Sequence, residues 1–192
     1  MVHKFYHQCV VVDNSVILKS FLDEEYSSDV DELIDMNLKR DVTLLAPSIL
    51  IYEFLNVIAR VYPSFDDVGL AYNKFRSLNL SLIEPNDVVL MEASGYLFKN
   101  KNISYSDAVY HAFAKDMDAT FLTADKKYYD EMKKEGNIEY LGNLGGKSAG
   151  VSEWLPLMFH ENPSIVLIKS MDRNFPVSRH RPCPDGKLSA TS

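Results

Sequence analysis

Cysteine is scarce in this chain of 192 residues. There are two, Cys9 and Cys183. Their spacing matches no zinc or dithiol motif, which excludes a disulfide scaffold and a cysteine-ligated metal site. Cys9 lies in an apolar run and reads as a buried thiol in a reducing, cytoplasmic setting. Glycine and proline number eight each, too few for a collagen-like or low-complexity chain. No apolar run approaches the roughly 20 residues of a membrane-spanning helix, so no membrane role is expected. The start, MVHKFYHQCVVVDNS, reaches Asp13 after four apolar residues and does not read as a signal peptide.

Positive charge is also in short supply. Lys and Arg total 20 against 27 Asp and Glu, a net charge of −7. This argues against gripping nucleic acid by bulk charge. It leaves open an enzyme that reaches phosphates through a bound cation. The balance is uneven along the chain: residues 1–141 carry 14 basic and 23 acidic side chains, residues 142–192 carry 6 and 4.

What the chain does have is a globular composition, 46% hydrophobic and 24% charged, enough to bury one sizeable core. Five short runs, Cys9–Val12, Val42–Ala46, Leu80–Ile83, Ala119–Leu122 and Ile138–Leu141, are apolar on both faces. Strands of a parallel sheet covered by helices on both sides read this way. Amphipathic segments lie between them. Val30, Leu33, Ile34 and Leu38 recur at helical spacing. A helix over Ser48–Val61 follows Pro47. Asn86 or Asp87 caps a helix running to about Phe98, Ser104 or Ser106 starts one to about Lys115, and Asp125 opens a last one ending near Gly136. Strand–helix alternation with right-handed crossovers predicts a three-layer α/β/α sandwich. Chemistry in such sheets gathers beyond the carboxyl ends of the strands.

Acids stand where that rule directs attention. Asp13 ends the first run and Asp125 follows the fourth; each also reads as a helix cap. The helix SILIYEFLNVIARV is apolar nearly all round and so is expected to be buried, with Glu53, Asn56 and Arg60 on one stripe. A carboxylate facing an interior needs a partner or a cation. Asp107 begins the helix SDAVYHAFAK, within capping reach of Ser104. His111, one turn on, reads as structural. Four carboxylates at one sheet edge would repel one another unless a hard divalent cation joined them. An all-oxygen set without Cys or His suits Mg²⁺ or Mn²⁺ over Zn²⁺. Such ions activate water and neutralise charge on phosphate oxygens, which points to a metal-dependent phosphodiesterase.

Four segments, VVVDNSVILKSFLDEE, APSILIYEFLNVI, ISYSDAVYHAFA and ATFLTADKKYYDE, occur in this order with suitable spacing. Together, residues 8–141 resemble a PIN domain of the VapC-like toxin ribonuclease type. The resemblance implies a five-stranded parallel sheet of order 3-2-1-4-5. It implies catalytic and metal-binding acids at Asp13, Glu53, Asp107 and Asp125, with Ser15, Asn56 and Thr123 orienting carboxylates or water. It further implies Mg²⁺- or Mn²⁺-dependent cleavage of RNA by in-line attack of activated water, leaving a 5′-phosphate and a 3′-hydroxyl. Asp13, Glu53 and Asp107 would hold the main ion; Asp125 would bind a second or position the water. Lys126 and Lys127 are candidates to touch RNA phosphates, against a reading as solvated helix lysines. The implied setting is a cytoplasmic toxin of a type II toxin–antitoxin pair, a homodimer silenced by a protein antitoxin.

Two other readings share the sequence. One is a PIN-type nuclease of RNA processing or decay, separated from a toxin by the lack of a neighbouring antitoxin reading frame. The other is a metal- or RNA-binding module that does not cut, against which the four intact acids count. A phosphatase with an Asp nucleophile is disfavoured because Ser15 stands where its second Asp belongs. Domain 1–141 is thus the PIN-like unit. Residues 142–192 form a Gly- and Pro-containing C-terminal extension, expected to be partly disordered, with a candidate strand at Ile165–Ile168. The extension reads equally as an added hairpin, an RNA-contacting arm through Arg173, Arg179 and Arg181, or a partner-docking tail. GNLGGKS, at its start, lacks the spacing of a phosphate loop.

Overall fold

The computed structural model describes residues 8–144. The C-terminal extension beyond Leu144, with its candidate strand, Cys183 and the three arginines, lies outside the described residues. Five strands alternate with helices: β1 (Gln8–Val12), β2 (Val42–Pro47), β3 (Ser81–Ile83), β4 (Thr120–Thr123) and β5 (Ile138–Tyr140). They form one parallel sheet of order β3-β2-β1-β4-β5. The chain builds outward from β1 on one side, then returns to add β4 on the other. The switch point therefore falls between β1 and β4, where Val12 is in register with Leu122. Asp13 then emerges beside Thr123. Both central strands are buried on both faces: Val10, Val11, Val12, Phe121 and Leu122 are at most 1% exposed, as the two-sided apolar runs predict.

Seven helices lie among the described residues. They are α1 (Asn14–Ile17), α2 (Ser27–Lys39), α3 (Leu50–Val61), α4 (Phe65–Ser77), α5 (Asp87–Lys99), α6 (Tyr105–Asp116) and α7 (Lys126–Met132). Asn86 caps α5 by accepting from the Val89 N–H at 3.0 Å. Past α7 a short 3₁₀ turn, Lys133–Glu135, runs into Gly136, whose φ of 78° suits a residue without a Cβ.

Four details differ from the sequence expectation. Helix α3 starts at Leu50, not Ser48, because Pro47 still belongs to β2, where it is in register with Ile83. Nor is α3 buried all round. Leu50, Phe54 and Ile58 face the core, while Tyr52, Asn56 and Arg60 are exposed. Leu38 is about half exposed, and Asn37 takes the buried place next to it on α2. Helix α4 was not expected: it buries only Ala71 and Phe75, which leaves too thin an apolar stripe to announce it. Its ends carry the local signals instead. Ser64 caps it by accepting from the Asp67 N–H, Asp66 and Asp67 occupy the first turn, and Lys74 and Arg76 the last.

Candidate active site

Asp13 leaves β1 and caps α1, its Oδ1 accepting from the Val16 N–H at 2.9 Å. The Ser15 hydroxyl donates to the same oxygen at 2.6 Å. The Thr123 hydroxyl, from the end of β4, donates to Oδ2 at 2.6 Å. Ser15 Oγ accepts in turn from the Ala124 N–H at 2.9 Å, and Thr123 Oγ1 from the Asp125 N–H at 3.0 Å. Two hydroxyls thus tie the ends of β1 and β4 together through one carboxylate. Asp13 is 3% exposed. Burial pushes its pKa up to about 6, against the lowering pull of Ser15, Thr123 and the Val16 amide.

The other three acids arrive from helices. Asp125 caps α7 through the Tyr128 N–H at 3.0 Å. Asp107 sits in the first turn of α6, where the Ser104 hydroxyl donates to its Oδ2 at 2.5 Å and accepts from its N–H at 3.1 Å. Burial raises the Asp107 pKa above its ordinary value, Ser104 opposes, and the charges of Asp125 and Glu53 raise it further. Glu53, on α3, accepts at Oε2 from the Tyr110 hydroxyl at 2.7 Å. The cap readings of Asp13, Asp125 and Ser104 are therefore met in the same residues that turn toward one place.

That place is a cavity of about 330 Å³ beyond the carboxyl ends of β1 and β4. Asp13, Glu53, Asp107 and Asp125 all line it, together with Asn14, Ser15 and Asn56. The four acids share the cavity wall without forming a closed cage. Among the described residues, no three His, Cys, Asp or Glu side chains are grouped as a metal site. The donor set is nonetheless all oxygen, and Asn14 contributes a buried Oδ1 with no hydrogen-bond partner. Asp13 and Asp107, both pushed up by burial and by neighbouring carboxylates, beside an acceptor lacking a donor, fit a hydrated hard cation by chemistry.

The lysines divide. Lys126 is paired with Asp130 at 2.5 Å, and Asp130 also meets Lys133 at 3.0 Å. Lys127 lines a smaller cavity of about 160 Å³ that shares Asp107 and Asp125 with the first. His111 is fully buried. Its Nε2 donates to the Gly136 carbonyl at 2.6 Å, and Nδ1 lies 3.3 Å from the Tyr128 hydroxyl. Burial holds its pKa below the usual value, as suits a structural role. Two residues escape the sequence reading. Tyr110 looks like a core aromatic, and its only signal is a hydroxyl one turn beyond Asp107. Asn14 is hidden by its place between Asp13 and Ser15.

An acid-lined cavity at the switch point of a parallel sheet defines an acid-centred α/β domain. Within that class the PIN domain family model matches residues 10–134, and the chain belongs to the PIN domain family. No curated protein matches it. Solved structures share the fold at low identity. VapBC2 from Rickettsia felis, bound to a promoter DNA fragment, has a TM-score of 0.53 and 14% identity, covering 69% of this chain and 98% of its own. FitAcB from Neisseria gonorrhoeae has a TM-score of 0.53 and 17% identity, covering 70% and 99%. VapC20 from Mycobacterium tuberculosis, a toxin that cleaves the sarcin–ricin loop, has a TM-score of 0.50 and 11% identity, covering 63% and 93%.

Proposed function

We propose that the protein is a divalent-metal-dependent endoribonuclease, the toxin of a type II toxin–antitoxin pair. The observation that carries this reading is the meeting of Asp13, Glu53, Asp107 and Asp125 on one cavity. Asp13, Glu53 and Asp107 would hold a Mg²⁺ or Mn²⁺ ion, and Asp125 a second ion or the attacking water. The ion, when bound, supplies activation of water and neutralisation of phosphate charge. The protein's own part is to hold the carboxylates ready. Ser15 and Thr123 fix Asp13, Ser104 fixes Asp107, and Asn56, on the same cavity wall, would orient a carboxylate or water. Lys127 is the stronger candidate for an RNA phosphate, since Lys126 is engaged by Asp130. The reaction leaves a 5′-phosphate and a 3′-hydroxyl.

The relatives described as VapBC and FitAcB, together with VapC20's named cleavage of an RNA loop, support an RNA substrate and a protein antitoxin. Exposed Val88, Met91 and Phe98 on α5, and Phe65 and Leu70 on α4, supply apolar surface for an antitoxin and for a second copy in a homodimer. No helix among the described residues is long and apolar enough to cross a membrane, and a cytoplasmic site of action is part of the proposal.

The test is cleavage of single-stranded and structured RNA with Mn²⁺, comparing the native chain with Asp13→Asn. The expected loss is about a hundredfold or more, with the circular dichroism spectrum retained. Equal cleavage by the variant, or cleavage indifferent to chelator, overturns the reading.

A further inference from the structure

Three of the four acids are held by groups close to them in the fold's own turns. Asp13 has the Ser15 hydroxyl and the Val16 amide of its own turn and the Thr123 hydroxyl from the neighbouring strand, Asp107 has Ser104, and Asp125 has the Tyr128 amide. Glu53 has none of these. It is the longest of the four side chains, it sits on a helix with an exposed flank, and its one side-chain hydrogen bond among the described residues comes from Tyr110. Tyr110 is 1% exposed, on α6 one turn beyond Asp107. Its ring stacks on Phe121 of β4, with centroids 6.0 Å apart and planes 12° from parallel. A phenol can only donate to a carboxylate. The ring is thus a rigid post, and its hydroxyl engages Oε2 of Glu53.

We propose that Tyr110 is a positioning residue that keeps Glu53 a one-oxygen ligand, so that the site prefers a small octahedral cation over calcium. This deepens the metal-dependent reading above and rests on it. The physics is one of denticity. Mg²⁺ and its close analogue Mn²⁺ accept single carboxylate oxygens in near-octahedral shells, whereas Ca²⁺ takes more ligands and readily draws both oxygens of a carboxylate. With one lone pair of Oε2 taken by the phenol and the carboxylate held in that orientation, Oε1 is the oxygen Glu53 offers first, and two-oxygen ligation is disfavoured. Holding the side chain also removes rotamer freedom that cation binding would otherwise have to quench.

Tyr110→Phe keeps the ring and removes the donor. Binding of Mn²⁺ alone and of Ca²⁺ alone is measured by calorimetry on the full chain, in the native protein, Tyr110→Phe, Glu53→Gln and the double variant. The expected result is a loss of about tenfold in Mn²⁺ affinity in Tyr110→Phe, with Ca²⁺ affinity held or raised, so the Mn²⁺ preference falls. Tyr110→Phe should then add nothing in the Glu53→Gln background, because it acts through Glu53. Unchanged Mn²⁺ affinity, equal weakening of both cations, or a full further loss in the double variant overturns the proposal. Absence of Mn²⁺ binding by the native chain instead overturns the metal reading beneath it. A metal-free melting temperature for each variant separates these results from simple unfolding.

Discussion

Both oxygens of the Asp13 carboxylate accept hydrogen bonds from the protein, yet the group is almost wholly buried. Its hydroxyl partners therefore matter to stability as well as to chemistry. Thr123→Val removes a buried donor to Asp13 and an acceptor for the Asp125 amide. We expect a cost of about 1–3 kcal/mol, read from urea unfolding, and a larger proportional loss of cleavage. His111 gives a pH signature of its own. Its folded-state pKa is lowered by burial, so its contribution is intact above the unfolded value of about 6.5 and is lost as pH falls below that. The melting temperature of the native chain should drop more steeply between about pH 7 and pH 5 than that of His111→Gln. Parallel curves for the two would refute the assignment.

At the scale of elements, Asn37 does more than fill space on α2. Its amide donates to the Leu78 carbonyl at 2.9 Å, at the end of α4, and its oxygen accepts from the Leu44 N–H of β2 at 2.9 Å. Asn37→Ala strands two buried backbone groups and should cost about 2–4 kcal/mol in a denaturant titration; a loss below about 1 kcal/mol would contradict it. The same contrast explains what was legible in the chain. Strands β1, β2 and β4 were legible because burial on both faces leaves their runs mostly apolar. Helix α4 was not, because it fully buries only two residues, Ala71 and Phe75, with Val68 and Tyr72 partly covered. Helix α3 misled in the other direction: Tyr52 and Val61 look like core residues, yet both lie on its open side. Within the candidate site, Asp13 and Asp125 were legible from strand ends and Glu53 from its apolar neighbours, while Asp107 stood out only as an acid at a helix start and through the family resemblance. The Tyr110–Glu53 bond was not, since it joins residues 57 positions apart through a side chain whose ring alone suits the core.

For the whole molecule, Asp13 couples stability to pH and, on the function proposed above, to cations. Asp13 has a folded-state pKa of about 6, above its unfolded value. The sign is then fixed. The native state binds the extra proton, so its share of stability is fullest at low pH and is lost as pH rises through that value. The cation of the proposed function would compete with that proton and stabilise by mass action. We expect the rise in melting temperature caused by millimolar Mn²⁺ to be larger at about pH 7.5 than at about pH 5. A shift that is the same at both values, or absent, would argue against cation binding by these carboxylates.

The pair of hydroxyls at the ends of β1 and β4 has a kinetic side. The amide hydrogens of Val16 and Ala124 lie outside any strand ladder, yet each points at an atom of that knot. Deuterium should replace them far more slowly than it replaces exposed loop amides, because each is held by a side chain that the hydrogen bonds between Asp13, Ser15 and Thr123 keep in place. On that expectation the acid-lined corner of the sheet is a rigid place and not a flexible one.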